Sequence, residues 1–380
     1  MNRPQGFDGA RRVVIKIGSA VLRDGQAFDR VAFASIVRGL AALIKEGLEP
    51  VVVCSGAIAL GLPRLGITER PQRMEKLQAA AAVGQSLLMQ HWSEELAHYG
   101  LVPAQVLLTH DGLKDRSRFL AARYTLRSLL EMGAIPIVNE NDTVATEEIK
   151  LGDNDFLSSQ IVGLIEAQML VILSNVDGLY NGHPDHPDSF VIDRVDGIED
   201  EIRSQAGTST STVGSGGMVT KLEAIHQVNQ LGAPGVIAPG KKAGVLQELW
   251  QGSQVGTWFA CTQPAMGHRK HWIAYAANPK GSIHLDAGAA QAILESGRSL
   301  LPIGITRVEG NFELGETVSL INPDGIEIAR GLSGCDAATM SRAAGLRSEA
   351  LSALGLHRPE VIHRDDLVIL HKDESLTINP

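Results

Sequence analysis

"RVVIKIG" at Arg12–Gly18, "RVAFASIVRGLAALIKEG" at Arg30–Gly47 and "PVVVCSG" at Pro50–Gly56 follow closely on one another, and their reading decides the fold. The first and third are short, continuous β-branched runs. Runs of this length suit strands buried on both faces of a parallel sheet. The segment between them is longer and amphipathic, as a helix is. The alternation continues to about residue 260. Further strand candidates are "AQVLLT" at Ala104–Thr109, "AIPIVNE" at Ala134–Glu140, "MLVILSN" at Met169–Asn175 and "GVIAPG" at Gly235–Gly240. Helix candidates are "RMEKLQAAAAVGQSLLMQHW" at Arg73–Trp92 and "RSRFLAARYTLRSLLEMG" at Arg116–Gly133. The pattern predicts an α/β layered domain with helices on both faces of its sheet. In such folds the chemistry sits at the carboxyl ends of the strands.

The pattern changes at "CTQPAMGHRKH", Cys261–His271, which reads as a linker. Beyond it lie the strand candidates "GSIHLD" at Gly281–Asp286, "SLLPIGIT" at Ser299–Thr306, "ETVSLINPDG" at Glu316–Gly325 and "IEIARGL" at Ile326–Leu332. "NPDG" is a strong turn signal, because proline and glycine fix its backbone angles. The expected organisation is a catalytic domain over 1–260, a linker over 261–271 and a small β-rich domain with a tail over 272–380.

The chain has 380 residues, of which 44% are hydrophobic and 20% charged, enough for two domains with buried cores. A formal net charge of −9 argues against broad electrostatic adhesion to nucleic acid or anionic membrane. Cys54, Cys261 and Cys335 are far apart and lack metal-ligand spacing, which disfavours a disulfide scaffold. "MNRPQGFDGARR" lacks the apolar core of a signal peptide, and no run is long enough to span a bilayer. A reducing cytoplasm is the expected compartment.

Several strand ends carry polar groups. Lys16 lies inside the first apolar run, which ends in Gly18-Ser19; it either serves a site or snorkels to the surface. "CSGAIALG", Cys54–Gly61, offers small residues and a helix start that suit an anion, or is a tight strand-to-helix turn. "NENDTVATEEIKLGDND", Asn139–Asp155, is the densest polar stretch and follows a strand directly. A solvated acidic loop is the ordinary explanation for such a run. Two Asn-Asp pairs with a Gly-Asp-Asn-Asp turn favour a site able to orient an ammonium group, a lysine or a magnesium-bound phosphate. Ser174-Asn175 either holds a ligand or caps a turn. "GSGGMVTK", Gly214–Lys221, precedes a helix expected to start near Lys221, but its Thr220-Lys221 order is not that of a P-loop. Two lysines, a carboxylate and a glycine loop fit phosphoryl transfer, which needs charge neutralisation and alignment more than covalent help. No nucleophile elbow, HExxH helix, zinc signature or GxGxxG fingerprint appears.

In their order, "VVIKIGSAVL", "VVVCSGAIALG", "KLQAAAAVGQ", "PIVNENDTVATEEIKLGDND" and "GSGGMVTKLEA" resemble the amino-acid kinase family. "KGSIHLDAGAAQAI" and "SLLPIGI" resemble the PUA domain that many of these kinases carry. The resemblance runs from about Val13 to about Leu354. It implies a three-layer α/β/α sandwich with a mostly parallel central sheet, plus a small β-rich PUA domain. It also implies transfer of the ATP γ-phosphoryl group to the side-chain carboxylate of L-glutamate, the first step of proline synthesis, with Mg2+. By the same resemblance Lys16 and Lys221 contact the phosphates and Asp155 holds both ammonium groups. Ser55, Asp142 and Asn154 bind glutamate, with Gly56-Ala57 near its carboxylate and Asn139 and Asp153 shaping the site. Gly18, Ser19, Ser174, Asn175 and the run Ser215, Gly216, Gly217, Met218, Val219, Thr220 and Lys221 line the nucleotide site. No metal ligand is assigned to a protein side chain. At Asn175 the family often has aspartate, so one charge is missing from the nucleotide side. The resemblance further suggests a homo-oligomer, inhibition by proline at or near the glutamate site, and hand-over of the product to a glutamyl phosphate reductase.

Two other readings compete. One is a kinase of the same fold acting on acetylglutamate, carbamate, aspartate or a nucleotide; the Asn139–Asp155 stretch and the C-terminal domain favour glutamate. The other is an RNA-binding protein, since PUA domains often occur in those. Lys and Arg do not outnumber Asp and Glu over 261–380, which disfavours it, although Arg269, Lys270 and Lys280 offer a small basic patch.

Overall fold

The computed structural model describes residues 10–25, 27–145, 153–198, 217–261, 267–347 and 358–370. The chain divides into two compact units. One takes in Met1–Gly112 and Arg118–Ala265, the other Leu113–Ser117 and Met266–Pro380.

The opening segments form a strand, a helix and a strand: β1 (Arg12–Ile17), α1 (Arg30–Lys45) and β4 (Glu49–Cys54). A two-residue hairpin that the sequence does not signal, β2 (Arg23–Asp24) with β3 (Ala27–Phe28), lies between β1 and α1. Then come α2 (Ala57–Arg64), α3 (Met74–Ala97), β5 (Val102–Leu108), α4 (His110–Lys114), α5 (Arg116–Glu131), β6 (Ala134–Glu140), α6 (Asp153–Ile165) and β7 (Met169–Ser174). The unit closes with β8 (Arg194–Val195), α7 (Met218–Gln230), β9 (Gly235–Pro239), α8 (Val245–Trp250) and β10 (Thr257–Phe259). The sheet order is β5-β6-β4-β1-β7-β9-β10-β8, parallel from β5 to β9, with β10 antiparallel to β9. The layers are helix, sheet, helix.

Alternation along β1 explains the layering. Val13, Ile15 and Ile17 join a core with Phe33, Ile36 and Leu40 of α1, Leu88 and Trp92 of α3, and Leu246 of α8. Val14 and Lys16 point to the opposite face, because strand side chains alternate. That face is covered by α6 and α7, which supply buried Leu157, Ile161, Leu222 and Ile225. Both faces of the central strands are therefore dry, which is why their sequences read as unbroken apolar runs.

Helices α2 and α3 touch backbone to backbone. A Cβ on Gly84 would sit 1.7 Å from the Ala57 carbonyl oxygen, and one on Gly61 would sit 1.8 Å from that of Ala80. Only glycine at both positions permits this approach.

In the second unit a five-stranded sheet has the order β12-β11-β13-β14-β15, from β11 (Gly281–Leu285), β12 (Ile305–Gly310), β13 (Thr317–Ile321), β14 (Glu327–Leu332) and β15 (Leu367–Ile369). Its core gathers Ile283, Leu285, Phe312, Leu320 and Met340. The strand expected across Ser299–Thr306 starts at Ile305, because Pro302–Gly304 forms a 3-10 turn.

Candidate active site

The carboxyl ends of β6, β4, β1, β7 and β9 stand side by side in that order, and most of the predicted polar residues lie there. Lys16, one residue before the end of β1, occupies the middle. It is 5% exposed, and its Nζ lies 2.5 Å from Oδ1 of Asp155. Asp155 is fully buried in the first turn of α6. Lys221 of α7, also buried, places Nζ 3.4 Å from the other carboxylate oxygen, Oδ2. The Thr220 hydroxyl donates to the same Oδ2 at 2.8 Å. One carboxylate thus stands between two ammonium groups.

Burial alone would raise the Asp155 pKa. The Lys16 and Lys221 charges, with hydrogen bonds from Lys16 and Thr220, outweigh it and hold the carboxyl below its ordinary value. Its place in the first turn of a helix acts in the same direction. Burial lowers the Lys221 pKa, Asp155 opposes that, and the Lys16 charge adds to it. Asp155 stays ionised and spends both oxygens on its partners, which suits an anchor and not a base.

Asn154 and Asp155 are neighbours on a helix of 3.6 residues per turn, so their side chains diverge by about 100°. Asp155 turns to the lysines, whereas Asn154 turns to β4 and β6. Asn154 Nδ2 donates to Ser55 Oγ at 2.6 Å and to Asn139 Oδ1 at 2.9 Å. Asn139, buried at the end of β6, donates from its own Nδ2 to Gln85 Oε1 of α3 at 2.9 Å. Ser55 follows β4, and its N–H donates to Ile17 at 3.2 Å. Gly56 then turns the chain at φ +115° into α2, whose first residue is Ala57. Asp142 lies in a short 3-10 turn after β6. Burial pushes its carboxyl up to about 6, against a smaller opposing effect of Arg70. Asp153 begins α6.

The other side of Lys16 is built from β7, β9 and α7. Gly18 N–H donates to Leu173 at 3.1 Å, and Gly240 N–H donates to Ser174 at 2.7 Å, so the ends of β1, β7 and β9 are stitched together. Ser174 is buried and Asn175 exposed, with the hydroxyl donating to Asn175 Oδ1 at 3.5 Å. Ser19 and Gly56 line one cavity with Leu22, Arg23 and Phe28. The glycine loop enters α7 at Met218, three residues before the start expected from the sequence. Gly217 is its N-cap and brings no side-chain cap, and Val219 is exposed in the first turn. Such a terminus presents backbone N–H groups to an anion. Ser215 and Gly216 lie outside the described residues, as do positions 146–152 of the polar stretch.

Gln85, Gln78 and Arg70 escaped the reading of the sequence. Gln85 ends the quoted "KLQAAAAVGQ", and Gly84 beside it is the signal that α3 approaches another backbone closely. Lys241 contacts Asp29 at 3.2 Å and Lys242 contacts Glu248 at 2.6 Å, each tied to a carboxylate. Cys54, next to Ser55, is fully buried, and desolvation pushes its thiol up to about 12, which leaves it unreactive. Among the described residues, no group of three His, Cys, Asp or Glu side chains is placed to hold a metal.

A family model described as the amino acid kinase family matches residues 11–239, and one described as the PUA domain matches 281–354. The chain is 45% identical over 372 residues to the glutamate 5-kinase of Pelobacter propionicus, covering 97% of this chain and 100% of that one. It is 45% identical over 363 residues to the glutamate 5-kinase of Thermus thermophilus, covering 95% and 97%. Among solved structures, N-acetylglutamate synthase of Neisseria gonorrhoeae is similar with a TM-score of 0.50 at 17% identity, over 69% of this chain and 62% of that one. At that identity the likeness speaks to the fold alone.

Proposed function

The chain belongs to the amino acid kinase family, and on that premise we propose that it phosphorylates the side-chain carboxylate of L-glutamate with ATP, as a glutamate 5-kinase. The observation that carries the reading is the central Lys16–Asp155–Lys221 cluster, with a carboxamide and hydroxyl network on one side and the Gly217-capped start of α7 on the other.

In the reaction a glutamate carboxylate oxygen attacks the γ-phosphorus of ATP. The bond from that phosphorus to the β-phosphate bridging oxygen breaks, ADP leaves, and γ-glutamyl phosphate forms. The attacking group is already an anion at neutral pH, so no general base is required. The obstacle is bringing two anions together. Lys16 and Lys221 meet it with fixed positive charge in a water-poor site, where such charge acts strongly. Asp155 keeps both ammonium groups aimed at the transferred group.

Glutamate lies over β4 and β6, with its ammonium group on Asp142 and its carboxylates near Ser55, Asn154 and the Gly56-Ala57 turn; Asn139 and Asp153 shape this pocket. ATP lies over β7 and β9, along Gly18, Ser19, Ser174, Asn175 and the Ser215–Lys221 loop. Adjacent strands are about 4.8 Å apart, so the γ-phosphoryl group crosses β1 between the two substrates. Asp155 is engaged by Lys16, Lys221 and Thr220; magnesium would enter with ATP and would help neutralise its phosphate charge.

Residues 1–260 are assigned to catalysis, 261–271 to a linker and 272–380 to a PUA domain with a regulatory or assembly role. Inhibition by L-proline in competition with glutamate, assembly of identical chains, delivery of the acyl phosphate to a reductase and a cytoplasmic location belong to the same proposal. Among the described residues no helix is long and apolar enough to cross a membrane. A coupled ADP-release assay with glutamate, aspartate, N-acetylglutamate and carbamate tests the reading. Turnover is expected with glutamate; turnover with aspartate but not glutamate overturns it.

A further inference from the structure

We propose that Gln85 and Gln78, two turns apart on one face of α3, are positioning residues that hold the two ends of the Asn139–Ala145 segment and so set the glutamate site. The inference rests on the glutamate reading above. Gln85 Oε1 accepts from Asn139 Nδ2 at 2.9 Å, and Gln78 Nε2 donates to the Ala145 carbonyl at 3.0 Å. A seven-residue spacing places the two glutamines about 10.5 Å apart along the helix. Asp142 lies between the points they hold.

The Glu140 backbone N–H and Asn154 fix which way the Asn139 carboxamide faces, and Gln85 takes the Nδ2 that this orientation leaves over. With Nδ2 given to Gln85, Asn139 Oδ1 accepts from Asn154 Nδ2 and from the Glu140 N–H, both at 2.9 Å. Turned over, the amide would set its NH2 group against those two donors. Asn154 is held in turn, and its buried Oδ1 makes no hydrogen bond among the described residues. That oxygen is left as an acceptor on the network that includes Ser55.

Gln85 pays for its place. It is 9% exposed, and its buried Nε2 makes no hydrogen bond among the described residues. Leucine or methionine would avoid that desolvation cost at such a position. The contact to Asn139 is what a glutamine adds. The helix is also a fixed reference, since Gly84 and Gly61 press α3 onto α2, which starts beside Ser55.

The test compares Gln85→Met and Gln78→Met with the unaltered full-length chain, in steady-state kinetics for both substrates with melting curves alongside. Glutamate-dependent turnover by the unaltered chain comes first; its absence overturns the proposed function and this inference with it. In an active enzyme each variant is expected to raise the glutamate KM about 3- to 12-fold, because the loosened Asn139–Ala145 segment costs the substrate about one hydrogen bond. The kcat, the ATP KM and the melting midpoint should change little. In an Asn139→Ala background Gln85→Met should have no further effect, because it acts through Asn139. An unchanged glutamate KM in both variants, equal rises in both KM values, or additivity with Asn139→Ala overturns the positioning role and leaves the kinase reading standing.

Discussion

Replacing Asp155 by asparagine should leave two buried ammonium groups without a counter-charge. The side chain keeps its shape, but the negative charge 2.5 Å from Lys16 Nζ and 3.4 Å from Lys221 Nζ is gone. Both lysines are less than a tenth exposed, so water does little to replace it. Breaking a buried ion pair in this way costs about 3–5 kcal/mol. In a unit of this size each kcal/mol is worth roughly 2–4 °C, so the melting midpoint should fall by about 6–20 °C. ATP brings phosphate charge to the same lysines, and its stabilising effect should be larger on Asp155→Asn than on the unaltered chain. Turnover should fall by about 10²–10³-fold, the usual cost of losing one preorganised electrostatic element. Melting curves with and without ATP, and ADP release, measure all three. A midpoint within about 2 °C of the unaltered chain, with an unchanged gain from ATP, would refute the view that Asp155 neutralises the pair.

Lys221→Ala should fold, because Asp155 keeps Lys16 and Thr220, but lose roughly 10²-fold or more in kcat; near-normal kinetics would make the glycine loop a linker. Burial pushes the Asp142 carboxyl up to about 6, so the glutamate KM should rise as pH falls below that value if, as proposed, its carboxylate pairs with the substrate ammonium. Asp142→Asn should abolish the inflection. The sign for stability is opposite, because the folded state holds this proton more tightly than the unfolded chain, whose value is near 3.8. The Asp142 contribution should therefore decline as pH rises from about 4 to about 6 and vanish as a difference when Asp142→Asn is compared. Gly84→Ala would drive a methyl group into the Ala57 carbonyl, and overpacking of this kind should cost about 1–3 kcal/mol or more by denaturant titration; an unchanged midpoint would mean that α2 and α3 separate easily.

Much of this was legible along the chain, for physical reasons. Strands β1, β4, β6, β7 and β9 are buried on both faces, so each appears as an apolar run, and polar residues stand at or just past the carboxyl ends of β1, β4, β6 and β7. The pairing of Lys16 with Asp155 and Lys221 depends on which helices cover the second face of β1. Composition left Lys16 undecided between snorkelling and a site, whereas the family resemblance supplied the partners. The sequence places the start of α7 three residues late, because Gly217 caps it with backbone alone and gives no side-chain signal. Strands β8 and β10 have two and three residues, too short to show a period. Gln85 sits in an alanine-rich helix beside a glycine, and its meaning appears only when Asn139 is brought across from the end of β6.

A glutamate carboxylate that takes the γ-phosphoryl group of ATP becomes an acyl phosphate. Hydroxylamine traps an acyl phosphate as a hydroxamate, so the most direct measurement is ATP turnover with glutamate and hydroxylamine present, scored for both ADP and γ-glutamyl hydroxamate. Equal amounts of the two, with both dependent on glutamate and strongly reduced in Lys221→Ala, are the predicted result. Glutamate-dependent ADP release without hydroxamate would contradict it.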